Sequence, residues 1–250
     1  MKIIKENWKF FLFIILICVI GGYYTTLYSF ESVDSKVLED AIKQTGSKET
    51  LILISVIQIS IYAVFFTSLG MILSDKVGLW KKFEKNKEAF KYLIIISIVG
   101  SLLISFGDYY IFGSLLKPIK DLYNSKPSLD YIISSFTYGG IFEEILMRLF
   151  FMSLIIWFIS NLFYKKKEIP TWVFIASNII SALFFATAHL PNTQQLFGEL
   201  NFILLLRCFL LNGAFGLAFG YLYRKYSIHY AMLAHFSIHL ISKILWLLFI

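Results

Sequence analysis

Seven stretches of this chain are apolar over about the length that crosses a bilayer: Phe10–Tyr28, Leu51–Leu73, Tyr92–Leu116, Tyr131–Phe163, Thr171–Leu190, Phe202–Tyr223 and Ile228–Ile250. A helix needs roughly 20 apolar residues to span the hydrocarbon core. Runs such as FLFIILICVI are continuous rather than alternating. That pattern excludes an outer-membrane barrel and leaves helices, which satisfy their own backbone in lipid. Hydrophobic residues make up 58% of the 250, more than a soluble domain carries, and little chain is left over for one. The expected fold is all-α, a polytopic membrane helical bundle of about seven to eight segments. It forms a single integral membrane domain over residues 1–250.

The net charge of +7 encodes orientation rather than a nucleic-acid partner. Lys2, Lys5 and Lys9 precede the first segment. Lys76, Lys81, Lys82, Lys85, Lys87 and Lys91 lie between the second and third, Lys165, Lys166 and Lys167 between the fourth and fifth, and Arg224 and Lys225 between the sixth and seventh. These fourteen basic residues face six on the alternate connections: Lys36, Lys43, Lys48, Lys117, Lys120 and Lys126. The positive-inside rule predicts a multi-pass protein of the cell membrane with its N-terminus in the cytoplasm.

The loop KKFEKNKEAFK reads as a basic topology anchor beside the lipid surface. The polar stretch Glu31–Thr50 reads as a short helix on the opposite surface. The first segment has the basic start and apolar run of a signal peptide but no small-x-small cleavage site, so an uncleaved helix is expected. Cys18 and Cys208 both lie inside apolar segments and read as core residues. The fourth segment is too long for one simple span, and Gly139–Gly140 is expected to break or bend it just before Glu143.

Ionisable residues inside membrane segments cost about 3 kcal/mol each on insertion scales and tend to mark function. Here they are Asp108, Glu143, Glu144, Arg148, His189, Arg207, His235, His239 and Lys243, with His229 at the mouth of the last segment. Glu144 and Arg148 stand four apart, share a helix face and can pair. Glu143 is about 100° away around the axis and has no evident partner on its own helix. A pair with an extra acid differs from a plain structural clamp, because the extra acid is free to work. His235 and His239 are also four apart, a spacing that suits a metal or a shared water. A glutamate with histidines describes water-activating hydrolysis: the acid takes a proton from water, and imidazoles stabilise an oxyanion or bind a metal. No Gly-rich phosphate loop and no HExxH motif is present.

Three motifs carry a resemblance. EEILMR (Glu143–Arg148) is similar to an EExxxR motif, FATAH (Phe185–His189) to FxxxH, and HFSIH (His235–His239) to HxxxN. Their order, their spacing and the lead-in GLAFGYLYRKYSIHYAMLAH resemble the CPBP family of intramembrane proteases. That family, also called Abi, contains the CAAX prenyl proteases and bacteriocin-processing enzymes. The resemblance covers residues 130–245, the expected catalytic core.

It implies that Glu143 is the general base, that Glu144 and Arg148 form the supporting pair, and that His189 and His235 complete the site, polarising the scissile carbonyl or holding a metal. Phe185 would pack beside His189. Cofactor use stays open between a divalent metal such as zinc and none. The family usually has asparagine where this chain has His239, which leaves the role of His239 open. A chain so rich in Ile, Lys and Phe reads as a low-GC bacterial product, whose cells lack prenylation. The expected partner is therefore a peptide precursor or small membrane protein, with the bilayer as solvent.

Two other readings compete. One is a non-catalytic scaffold or bacteriocin-immunity protein. The other is a proton-coupled transporter, against which stands the lack of two related halves. Depth raises a difficulty. His235 lies only about 15 Å, at 1.5 Å rise per residue, beyond the Arg224–Lys225 end. Straight, upright helices would hold it at a different level from Glu143 and His189, so tilted or broken helices are expected.

Overall fold

A computed structural model describes residues 2–164 and 168–250. The basic triplet Lys165–Lys167, used above for orientation, lies outside the described residues. All regular structure among the described residues is helical. Seven of these helices are long and apolar enough to cross a membrane: α1 (Trp8–Ser32), α2 (Lys48–Lys76), α3 (Lys87–Leu115), α4 (Leu129–Tyr164), α5 (Thr171–Phe197), α6 (Phe202–Lys225) and α7 (Ile228–Phe249). The polar stretch after α1 forms the expected surface helix, Ser35–Thr45.

Several starts are written into the sequence as caps. Ser47, Asn86, Ser128 and Asn201 each precede a long helix, and each side chain accepts a backbone N–H of the first turn. Such a cap satisfies one of the otherwise unpaired donors. Asn86 starts α3 five residues before Tyr92, so Lys87 and Lys91 belong to the helix rather than to the preceding loop.

The helices are apolar around their whole circumference, as expected of elements with protein on one side and lipid on the other. Leu53, Ile57 and Ile61 of α2 and Ile94 and Ile98 of α3 face outward. The core forms where α4, α6 and α7 meet, through Phe142, Ile145, Leu149, Phe219, Leu222, Ala234 and Ile238. Helix α4 is central and packs against α1, α2, α5 and α7.

Of the break or bend expected in α4 at Gly139–Gly140, the break is absent. The helix runs continuously through Gly139 and Gly140, and its departure from α-geometry consists of π-helical turns over Ser135–Phe142 and Ile145–Met152 on either side of the glutamates. The glycines serve packing instead. A Cβ on Gly140 would lie 2.8 Å from the Cα of Phe236, and one on Gly139 would lie 3.0 Å from Nε2 of His239. Their missing side chains let α7 lie directly on α4, the close approach that small residues permit between membrane helices. Helix α5 is interrupted instead. His189 sits at the joint, at the edge of the right-handed helical region (φ −87°, ψ −8°) and two residues before Pro191, whose ring and missing N–H prevent a regular continuation.

Candidate active site

Glu143 and Glu144 stand between the two π-helical stretches of α4 and point to different neighbours. Glu144 is fully buried, and its Oε1 lies 2.9 Å from Nη1 of Arg148, so the i, i+4 pair read from the sequence is formed. The same oxygen accepts from Nδ1 of His235 at 2.9 Å, across to α7. The Arg148 guanidinium is also buried. It lies over the rings of Phe185 and Phe219, 4.6 and 5.4 Å from their centroids. A desolvated cation over aromatic faces gains from the ring quadrupoles. Gly216 makes room for it: a Cβ there would stand 2.9 Å from Nη2.

His235 continues the chain of contacts. Its ring stacks on Phe219 at 4.5 Å and on His239 at 4.9 Å, and its Nε2 lies 3.2 Å from Nε2 of His239. Because Nδ1 of His235 meets an acceptor-only carboxylate, it carries the proton, and a neutral His235 then presents Nε2 as an acceptor. His239 donates from its own Nε2. The four side chains thus form one directed series, Arg148 to Glu144, His235 to Glu144, and His239 to His235.

Glu143 turns the other way. It finds His189 across the α4–α5 boundary, with Oε1 3.8 Å from Nε2. The opposite ring nitrogen, Nδ1, lies 2.8 Å from the carbonyl of Phe185. A carbonyl only accepts, so Nδ1 carries the proton and the Nε2 lone pair of neutral His189 faces Glu143. Phe185 packs edge-on against His189 at 4.6 Å, as the motif suggests.

Glu143, His189, His235 and His239 line one cavity of about 500 Å³, with Met147, Phe185, Phe215 and Phe219 among its apolar walls. All six residues singled out from the three motifs therefore fall in one connected cluster. The depth difficulty resolves in the length of α4. Its 36 residues extend about 54 Å at 1.5 Å per residue, well beyond a core of about 30 Å. Helix α4 accordingly reaches past the start of α7, and Glu144 meets a histidine near that start.

The other buried ionisable groups find partners outside this cluster, although Arg207 lines the same cavity. Asp108 of α3 holds Arg207 of α6 in a two-pronged pair, both contacts 2.6 Å. Tyr123 lies 3.0 Å from the same carboxylate. Lys243 lies over the ring of Tyr131 at 4.1 Å. His229 packs against Phe10 and Phe83 at the start of α7. Sequence reasoning missed Phe219, Gly216 and the packing role of Gly139 and Gly140. The only available signal was their position in the lead-in and in the residues flanking the motifs.

A metal fits poorly. Among the described residues no group of three or more His, Cys, Asp or Glu side chains is placed to hold an ion. The facing nitrogens of His235 and His239 are joined to each other rather than to a common centre.

Residues 126–241 match the family described as type II CAAX prenyl endopeptidase, Rce1-like. The match runs from the start of α4 into α7 and contains all six residues of the cluster, so the resemblance carried by the three motifs holds over this segment. No curated protein and no solved structure matches the chain.

Proposed function

On the premise that residues 126–241 carry an Rce1-like core, we propose that this chain is an intramembrane endopeptidase in which Glu143 activates water. The observation that carries this reading is the approach of Glu143 to His189, 3.8 Å apart on the wall of one cavity. Both groups present acceptors, and a water between them can donate one proton to each. Glu143 takes a proton as the water oxygen attacks the carbonyl carbon of the scissile amide. His189, fixed by its bond to Phe185, holds the water through its Nε2 lone pair. The carbonyl oxygen becomes an oxyanion. The tetrahedral intermediate then collapses, breaking the C–N bond, and Glu143 returns its proton to the departing amine. The products are a new carboxyl terminus and a free amine.

The series Arg148–Glu144–His235–His239 supports that step. Glu144 fixes the tautomer and orientation of His235, and Arg148 holds Glu144. His239, whose Nε2–H turns toward the cavity when substrate displaces its bond to His235, supplies the oxyanion donor that asparagine supplies in the family. The substrate is a peptide precursor or a small membrane protein, and the N-terminus lies in the cytoplasm.

The test is Glu143→Gln, which keeps the shape and removes the base. Processing of a peptide precursor by membranes or proteoliposomes is expected to fall about 10²- to 10⁴-fold, with protein level and thermal stability unchanged. Undiminished processing would leave a scaffold role in its place.

A further inference from the structure

Among the described residues, the polar rim of the cavity lies at one end of the bundle. The cavity's outer lining comes from the end of α1, the second half of α3, the first half of α4, the end of α5 and the first half of α6, and at the level of the site it is closed by Phe215 and Phe219 of α6 and by His235, Ile238 and His239 of α7. Its rim carries Ser29, Ser32, Asn192 and Gln195, and Gln195 donates to the Ser32 carbonyl across it at 2.9 Å. Toward the other end the path is filled. Met152, Ile156, Leu222, Tyr223 and Ile228 are buried to within 1%, and Tyr223 bonds to both Ser153 and Ser74 in that layer.

The filled end is the basic end. There Lys81 donates to the carbonyls of Arg224 and Lys225, and Lys225 pairs with Glu88, so two of the basic connections lie side by side. Among the described residues, eleven of the basic residues flanking the spans belong to that face and six to the other. Charge bias of this kind sets orientation. The rim connections therefore lie outside.

From these two independent facts, the position of the mouth and the charge of the opposite face, we infer that the site takes its substrate from the extracytoplasmic side. Resting on the peptidase reading, the substrate is then a peptide segment that has already crossed the membrane or is displayed on its outer surface. A prenylated tail made and kept in the cytoplasm does not reach the mouth. A reaction that exports or inserts the precursor must come first.

The test uses the full chain in intact cells freed of any outer barrier. Ser32→Cys and Asn192→Cys report the mouth and Lys85→Cys reports the basic loop. The native Cys18 and Cys208 are buried and give little background. A membrane-impermeant maleimide is expected to label both mouth variants at least tenfold more than Lys85→Cys, with the difference lost on permeabilisation. Labelling of Lys85→Cys alone before permeabilisation overturns the inference. The readout needs no catalysis and is repeated in the Glu143→Gln background. Inward labelling with intact processing sinks the access side alone, whereas outward labelling with undiminished Glu143→Gln processing sinks the peptidase.

Discussion

His239 is the residue at which this chain departs from the family pattern, and its neighbours define what the departure costs. Its Nε2 lies 3.2 Å from that of His235, and Gly139 leaves it space. Asparagine at this position would donate an N–H without titrating. Histidine donates too, but only with the proton on Nε2, and the bond to His235 selects that form. His239→Asn is therefore expected to keep processing within about tenfold. His239→Ala removes the donor and is expected to lose about 10²- to 10³-fold, the range for deleting one oxyanion donor. Measured kcat for the two variants separates them. Equal losses would mean that His239 only packs.

At the scale of the element, α4 and α7 are held by an absence of side chain. Gly140 faces the backbone of Phe236, where a Cβ would stand 2.8 Å from Cα. Because the obstacle is backbone rather than a flexible side-chain tip, Gly140→Ala must push the helices apart. Overpacking of this kind costs about 1–3 kcal/mol. A lowered thermal midpoint in detergent, with processing reduced as His235 leaves Glu144, is the expected result.

The same elements show what the sequence could disclose. The lengths of the apolar runs announced seven spans, and the i, i+4 spacing of Glu144 with Arg148 and of His235 with His239 announced two contacts that are formed. Both signals are local, read within one helix. The pairing of Glu143 with His189 and of Glu144 with His235 crosses between helices, where the motifs carried what spacing could not. Gly139–Gly140 suggested a break because glycine weakens an isolated helix. In the bundle, lost helix propensity is outweighed by packing, and the chain continues. The true interruption, at His189 before Pro191, went unremarked although proline was its plain signal.

Across the whole molecule, the N-terminal helices α1 to α3 lie outside the matched segment, yet one of them is tied to it by charge. Asp108 of α3 and Arg207 of α6 are 99 positions apart and meet at 2.6 Å on both prongs. Asp108 is 1% exposed, and Arg207 lies on the cavity wall. Tyr123, from the connection after α3, adds its hydroxyl at 3.0 Å. Burial, and next the charge of Asp108, hold that hydroxyl protonated well above the usual tyrosine range. This arrangement makes α3 a buttress for the first half of α6. Asp108→Asn strands a cation in an apolar setting and is expected to cost about 3–5 kcal/mol, the range for breaking a buried pair. Replacing both partners, Asp108→Leu with Arg207→Met, leaves no unpaired charge and is expected to recover most of that loss. Thermal midpoints of the single and double variants in detergent measure the coupling. A single variant as stable as the parent would mean that the pair contributes nothing to holding the two halves together. A double variant no better than the single would mean that α3 and α6 depend on the pair's hydrogen-bond geometry rather than on its balance of charge.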